Sequence, residues 1–119
     1  MYFNFDSFRA FAIMAYNKVS NINFTLDEVL SIFEYYFSRY EFVFQEPHPY
    51  IKMEQIERII EKMPYIGLEH GNMADIDTEE YRIMIDKHFK TQYCNCDYNI
   101  NHFFAGNIRM LRFYEAGLY

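Results

Sequence analysis

Residues 25–40 constrain the fold more than any other stretch of the chain. Thr25 is followed three residues later by Glu28, the spacing in which each side chain satisfies the other's free backbone N–H at a helix start. Leu26, Val29, Leu30, Phe33, Tyr36, Phe37 and Tyr40 then recur at steps of three and four, and Ile32 and Tyr35 widen the stripe. A helix apolar over so much of its circumference must be covered on several sides, so it is expected at the centre of the fold.

Four further helical segments fit around it. The first runs from Asp6 to Tyr16, with Asp6 or Ser7 as its cap and Phe8, Phe11, Ala12 and Ala15 on one stripe. Its alanines permit close approach of a neighbour. Another spans Met53 to Met63, with Met53, Ile56, Ile59, Ile60 and Met63 inward, and Pro64 ends it. Asp77 and Glu80 repeat the capping spacing ahead of Tyr81, Met84, Ile85 and Phe89. The last segment starts near Asn99 or Asn101 and carries Ile100, Phe104, Ile108 and Leu111. Gly106 within it either marks a break or lets another backbone come close. Phe42-Val43-Phe44 is β-prone and reads as a short extended piece. Pro47 and Pro49 force a loop over residues 45–49, and 67–77 reads as an exposed loop. A turn of three or four residues would be needed for a helix-turn-helix, and the connection between the second and third helices is far longer. The expectation is an all-α fold: a compact bundle of about five helices in one domain, residues 1–119, with one short extended piece.

The chain of 119 residues is long enough to bury roughly two thirds of its unfolded surface. Its 13 Phe and 12 Tyr are more rings than such a core can hide, so some are expected outside, where aromatics favour interfaces. The net charge of −6 is unevenly spread. Residues 1–81 hold 14 acids against 6 bases, and residues 82–119 hold 3 acids against 5 bases. The chain as a whole lacks the basic footprint of a phosphate-tracking protein, although the tail could touch a backbone locally. No run reaches 18 apolar residues, so no membrane partner is expected. Residues 1–6 lack a basic stretch followed by an apolar run and read as no signal peptide. Cys94 and Cys96 lie too close together to staple a fold, which fits a cytoplasmic location.

Tyr93 to Glu115 gathers both cysteines, a histidine, several asparagines, two arginines and six aromatics, and is read as the functional surface. Tyr98, Asn101, His102, Arg109 and Arg112 are the candidate contact residues. Arg109 and Arg112, three apart, would project from one helix face to grip a phosphate, stack on bases or anchor a partner. The plainer alternative is that they pair with carboxylates inside the fold. Glu79 and Glu80 are added for charge complementarity, from an acidic run that includes Glu69, Asp75 and Asp77. That run lacks the alternating oxygen ligands of a calcium loop. It is either a solvated face or a set of carboxylates offered to a basic surface.

His88, Cys94, Cys96 and His102 have zinc-binding side chains, but one residue between the cysteines is the wrong spacing for a structural site. Cys96 with His102 and Asp97 could be drawn as a nucleophile and base, yet no spacing joins them. No catalytic residue, metal or cofactor is expected.

The stretch His48-Pro49-Tyr50-Ile51-Lys52-Met53-Glu54-Gln55-Ile56-Glu57-Arg58-Ile59-Ile60-Glu61-Lys62-Met63-Pro64-Tyr65-Ile66 and the tail Cys96-Asp97-Tyr98-Asn99-Ile100-Asn101-His102-Phe103-Phe104-Ala105-Gly106-Asn107-Ile108-Arg109 resemble a family of short proteins. These occur on conjugative elements and prophages of low-GC Gram-positive bacteria, and the similarity covers residues 24–115. The family supplies a setting rather than an activity. Genes there serve replication, transfer, regulation or evasion of host defence, and small acidic proteins among them resemble nuclease inhibitors such as anti-CRISPR proteins. The reading is a non-enzymatic protein-binding accessory protein that inhibits a host or element-encoded nucleic-acid-handling protein, a CRISPR nuclease being one example. The alternative is a DNA- or RNA-associated replication or regulatory factor using the basic tail, and a small metal or thiol enzyme ranks last.

Overall fold

The computed structural model describes residues 4–19 and 23–118. Its helices are α1 (Phe5–Lys18), α2 (Leu26–Phe44), α3 (Met53–Lys62), α4 (Thr78–Lys90), α5 (Ile100–Phe103) and α6 (Gly106–Glu115). Between α3 and α4 lies a small antiparallel ribbon of β1 (Tyr65–Gly67) and β2 (Met73–Asp75), joined by a single 3-10 turn at Glu69–Gly71. The fold is mostly helical, as expected.

α2 is the central element. Thr25 accepts the N–H of Glu28 and Glu28 accepts that of Thr25, closing the capping box. Val29, Leu30, Ile32, Phe33, Tyr36, Phe37 and Tyr40 are all buried along it. α1 lies across α2 and α3, and Ala12 and Ala15 are fully buried, so small side chains set that approach. Phe8 of α1 meets both Phe33 and Phe37 edge-on, with centroids 4.9 Å apart in each pair. Such pairs add about 0.5–1.5 kcal/mol beyond the area they bury. Phe11, expected on the inner stripe, is instead exposed, and the cap of α1 is Asn4 rather than Asp6 or Ser7.

Two local expectations are corrected. Phe42-Val43-Phe44 is not extended but forms the last turn of α2, which Gln45 ends in a left-handed conformation (φ 56°). Burial of α2's long apolar face outweighs the weak strand preference of three residues. The loop expected over 67–77 contains the last residue of β1, the 3-10 turn and all of β2. Of the two outcomes expected at Gly106 the structure has the break: the tail helix is interrupted at Phe104–Ala105, and Gly106 opens α6.

Candidate functional site

The two arginines of the tail turn inward. Arg109 and Arg112 are both buried, which corrects the expectation that they project toward a phosphate or partner. Each has a stated structural task. α3 stops at Lys62 because Pro64 cannot continue it, leaving carbonyls without helical donors. Arg109 Nη1 donates to the Lys62 carbonyl and to the Tyr81 hydroxyl (2.9 Å), while Tyr81 donates to the Met63 carbonyl (2.9 Å). A cation here also complements the negative end of the α3 dipole. Burial pushes the Tyr81 hydroxyl up to about 12, so it stays a donor.

Arg112 serves a second centre, around His88. Its Nε donates to His88 Nδ1 at 2.9 Å, Nη1 reaches Glu115 at 3.1 Å, and its guanidinium lies 3.5 Å over the Tyr93 ring. Tyr36 donates its one hydroxyl proton to the Tyr98 carbonyl at 2.7 Å. The 3.3 Å contact from His88 Nε2 to that hydroxyl therefore runs from the ring N–H to the Tyr36 oxygen. His88 is thus neutral, with both nitrogens engaged. Burial first, then the charges of Arg112 and His102, hold its pKa down to about 3. Such a ring has no free nitrogen for a metal or for a cysteine. Cys94 is exposed and Cys96 half-buried, and neither is disulfide-bonded. Among the described residues no three of His, Cys, Asp and Glu gather to hold a metal.

The other tail candidates are scattered. Tyr98 sits at φ 59°, a strained geometry for a bulky residue. Its hydroxyl donates to the Thr91 carbonyl and accepts the Tyr93 N–H at 3.0 Å, and its ring stacks on Phe89. Asn101 is half-buried beside Lys62 in a shallow cleft, and His102 is half-buried on the short α5. Glu80 is committed to the capping box with Asp77, whereas Glu79 is exposed in the first turn of α4. The tail candidates thus divide between interior ties and separate half-buried positions, and form no single contact patch. With both arginines interior, Arg82, Lys87 and Lys90 are the exposed cations of residues 82–119.

Residues 65–80 carry a run of outward-facing carboxylates. In the ribbon, Tyr65 opposes Asp75 and Gly67 opposes Met73, and all four are exposed, while Ile66 is buried and Ala74 half-buried. Period-two alternation therefore gives the ribbon an outer face bearing Tyr65, Met73 and Asp75. Gly67 carries no side chain opposite the Met73 sulfur. The turn is tied back to α6 by the Glu69 N–H, which donates to the Tyr114 hydroxyl at 3.1 Å. Glu69, Asp75, Asp77 and Glu79 are all exposed, and among the described residues none of them pairs with a cation. Sequence reasoning finds the carboxylates and misses Tyr65 and Met73; their alternation about Ile66 and Ala74 is the available signal.

Among the described residues no helix is long and apolar enough to cross a membrane. No protein-family model, curated protein or solved structure matches the chain.

Proposed function

We propose that this protein is a non-enzymatic binding protein that sets residues 65–80 against a basic surface of another protein, one built to hold nucleic acid. One observation carries the reading. This segment has five carboxylates, no Lys or Arg, and an outward Tyr65 and Met73 on the ribbon. Capping uses Asp77 and Glu80, and among the described residues the side chains of Glu69, Asp75 and Glu79 form no hydrogen bond or ion pair. Repelling charges left unopposed at a surface favour a cationic partner, and they steer its approach. Tyr and Met are enriched at interfaces, where they fill pockets while the charged rim fixes register. The resemblance of residues 48–66 and 96–109 supports a mobile genetic element as the setting. A host defence nuclease of the CRISPR type offers the required basic groove.

The test compares capture of host proteins by the wild type and by Glu69→Gln/Asp75→Asn/Glu79→Gln, which leaves the capping pair intact. The expected result is a basic partner held by the wild type, released by added DNA and lost by the variant. Equal capture by both proteins, or a partner that DNA does not displace, overturns the proposal.

A further inference from the structure

The second unopposed charge group is positive, and it lies in a cleft where α3 meets α5. Gln55, Arg58 and Lys62 line one wall and Asn101 and Phe104 the other, around a volume of about 190 Å³. At ~30 Å³ per water this holds roughly six waters, space for a small polyatomic ion and part of a group that carries it. Lys62 Nζ is held in place by a 3.2 Å bond to the Phe104 carbonyl, leaving two of its three N–H donors. Arg58 on the preceding turn is exposed. Arg109 lies beneath, bonded to the Lys62 carbonyl. Burial, then Arg109 and Arg58, pull the Lys62 pKa below its ordinary value, and no carboxylate offsets them. Among the described residues neither Arg58 nor Lys62 forms an ion pair, although the chain has 17 acids to choose from.

We propose that this cleft binds a phosphate-sized oxyanion between Lys62 and Arg58, with the Asn101 side-chain amide as a further donor. Arg58 and Lys62 meet at the cleft without an ion pair, Arg109 acts on Lys62 from behind it, and an anion entering the cleft offsets their mutual repulsion. The donor set favours phosphate over a carboxylate. An ammonium and a guanidinium on one wall face an amide on the other, which suits an ion with acceptors on several sides. The site is independent of residues 65–80, so either proposal can fail alone.

The experiment is a titration of the full chain with inorganic phosphate at fixed ionic strength, chloride replacing it in the control, followed by amide NMR shifts and thermal unfolding. Glycerol phosphate is titrated in parallel. Saturable shifts centred on residues 55–62 and 101–105, with a rise in Tm absent in chloride, are expected. Tighter binding of glycerol phosphate identifies an ester as the ligand, and equal binding identifies the free ion. Lys62→Met and the exposed Arg58→Ala should each weaken binding by about tenfold, as removal of one charge-assisted contact does. Lys90→Ala, at the end of α4, should leave it unchanged. Non-saturating shifts, or unaltered binding in Arg58→Ala, overturn the proposal even if Lys62→Met fails to fold.

Discussion

His48 Nε2 accepts the backbone N–H of Ile100 at 2.9 Å, joining residues 52 apart in sequence. Its Nδ1–H donates to the Pro49 carbonyl at 2.8 Å, so the ring must be neutral to serve both partners. The proline-bounded loop after α2 thereby supplies the first donor of α5 with its acceptor, beside the Asn99 side chain that takes the Asn101 N–H.

Acid should weaken the fold through this ring and through His88. Burial lowers the His48 pKa to about 4 and the His88 pKa to about 3, both below the ordinary 6.5. Between those values the unfolded chain binds the protons and the folded chain does not, so stability falls as pH falls from 6.5. The loss levels off for each ring below its folded value. Each ring contributes a slope of up to about 1.4 kcal/mol per pH unit in that window. Urea unfolding from pH 7.5 to 4 should show the decline, and His48→Gln should flatten it.

Arg112 should be a stability residue that lysine cannot replace. Arg112→Met leaves His88 Nδ1 buried without its donor and breaks the tie to Glu115, for a loss of about 3 kcal/mol by urea unfolding. Arg112→Lys should lose most of the same amount, because one ammonium cannot span His88, Glu115 and the Tyr93 face together.

Tyr81→Phe should destabilise by about 1–3 kcal/mol. It removes the donor to the Met63 carbonyl and one acceptor of Arg109 while preserving the ring contact with Phe104. A deficit confined to stability, with no loss of partner capture, is the expected pattern.

Two glycines should respond in opposite directions to alanine. Gly106 opens α6, and the place a methyl group would take there is open space, so Gly106→Ala should stabilise by about 0.4–1 kcal/mol. Gly71 also has space, but its φ of +75° strains any side chain, so Gly71→Ala should destabilise. Thermal unfolding of both variants separates backbone strain from crowding.

What is legible in the chain is local. The caps at Thr25 and Asp77 carry their signal within three residues, and the stripe of α2 repeats often enough to outweigh single misfits. The ribbon escapes a sequence reading because each strand has three residues and its pairing spans six to ten positions, so glycines and aspartates read as loop. Arg109 and Arg112 are misplaced by such a reading because the groups that demand them, the end of α3 and the His88 ring, lie 24 to 47 residues away. Burying an arginine is unfavourable unless its donors are met, and that condition is fixed by tertiary geometry alone. The acidic run keeps its place at the surface, and the tail supplies the ties that hold the ribbon and helices together.

Site-specific photo-crosslinking tests the central claim most directly. A photoreactive phenylalanine analogue is placed at Tyr65 on the ribbon or at Leu111, the exposed apolar position of α6. The account predicts a discrete protein adduct in host lysate from position 65 and none from 111. An adduct from 111 with none from 65 would contradict it.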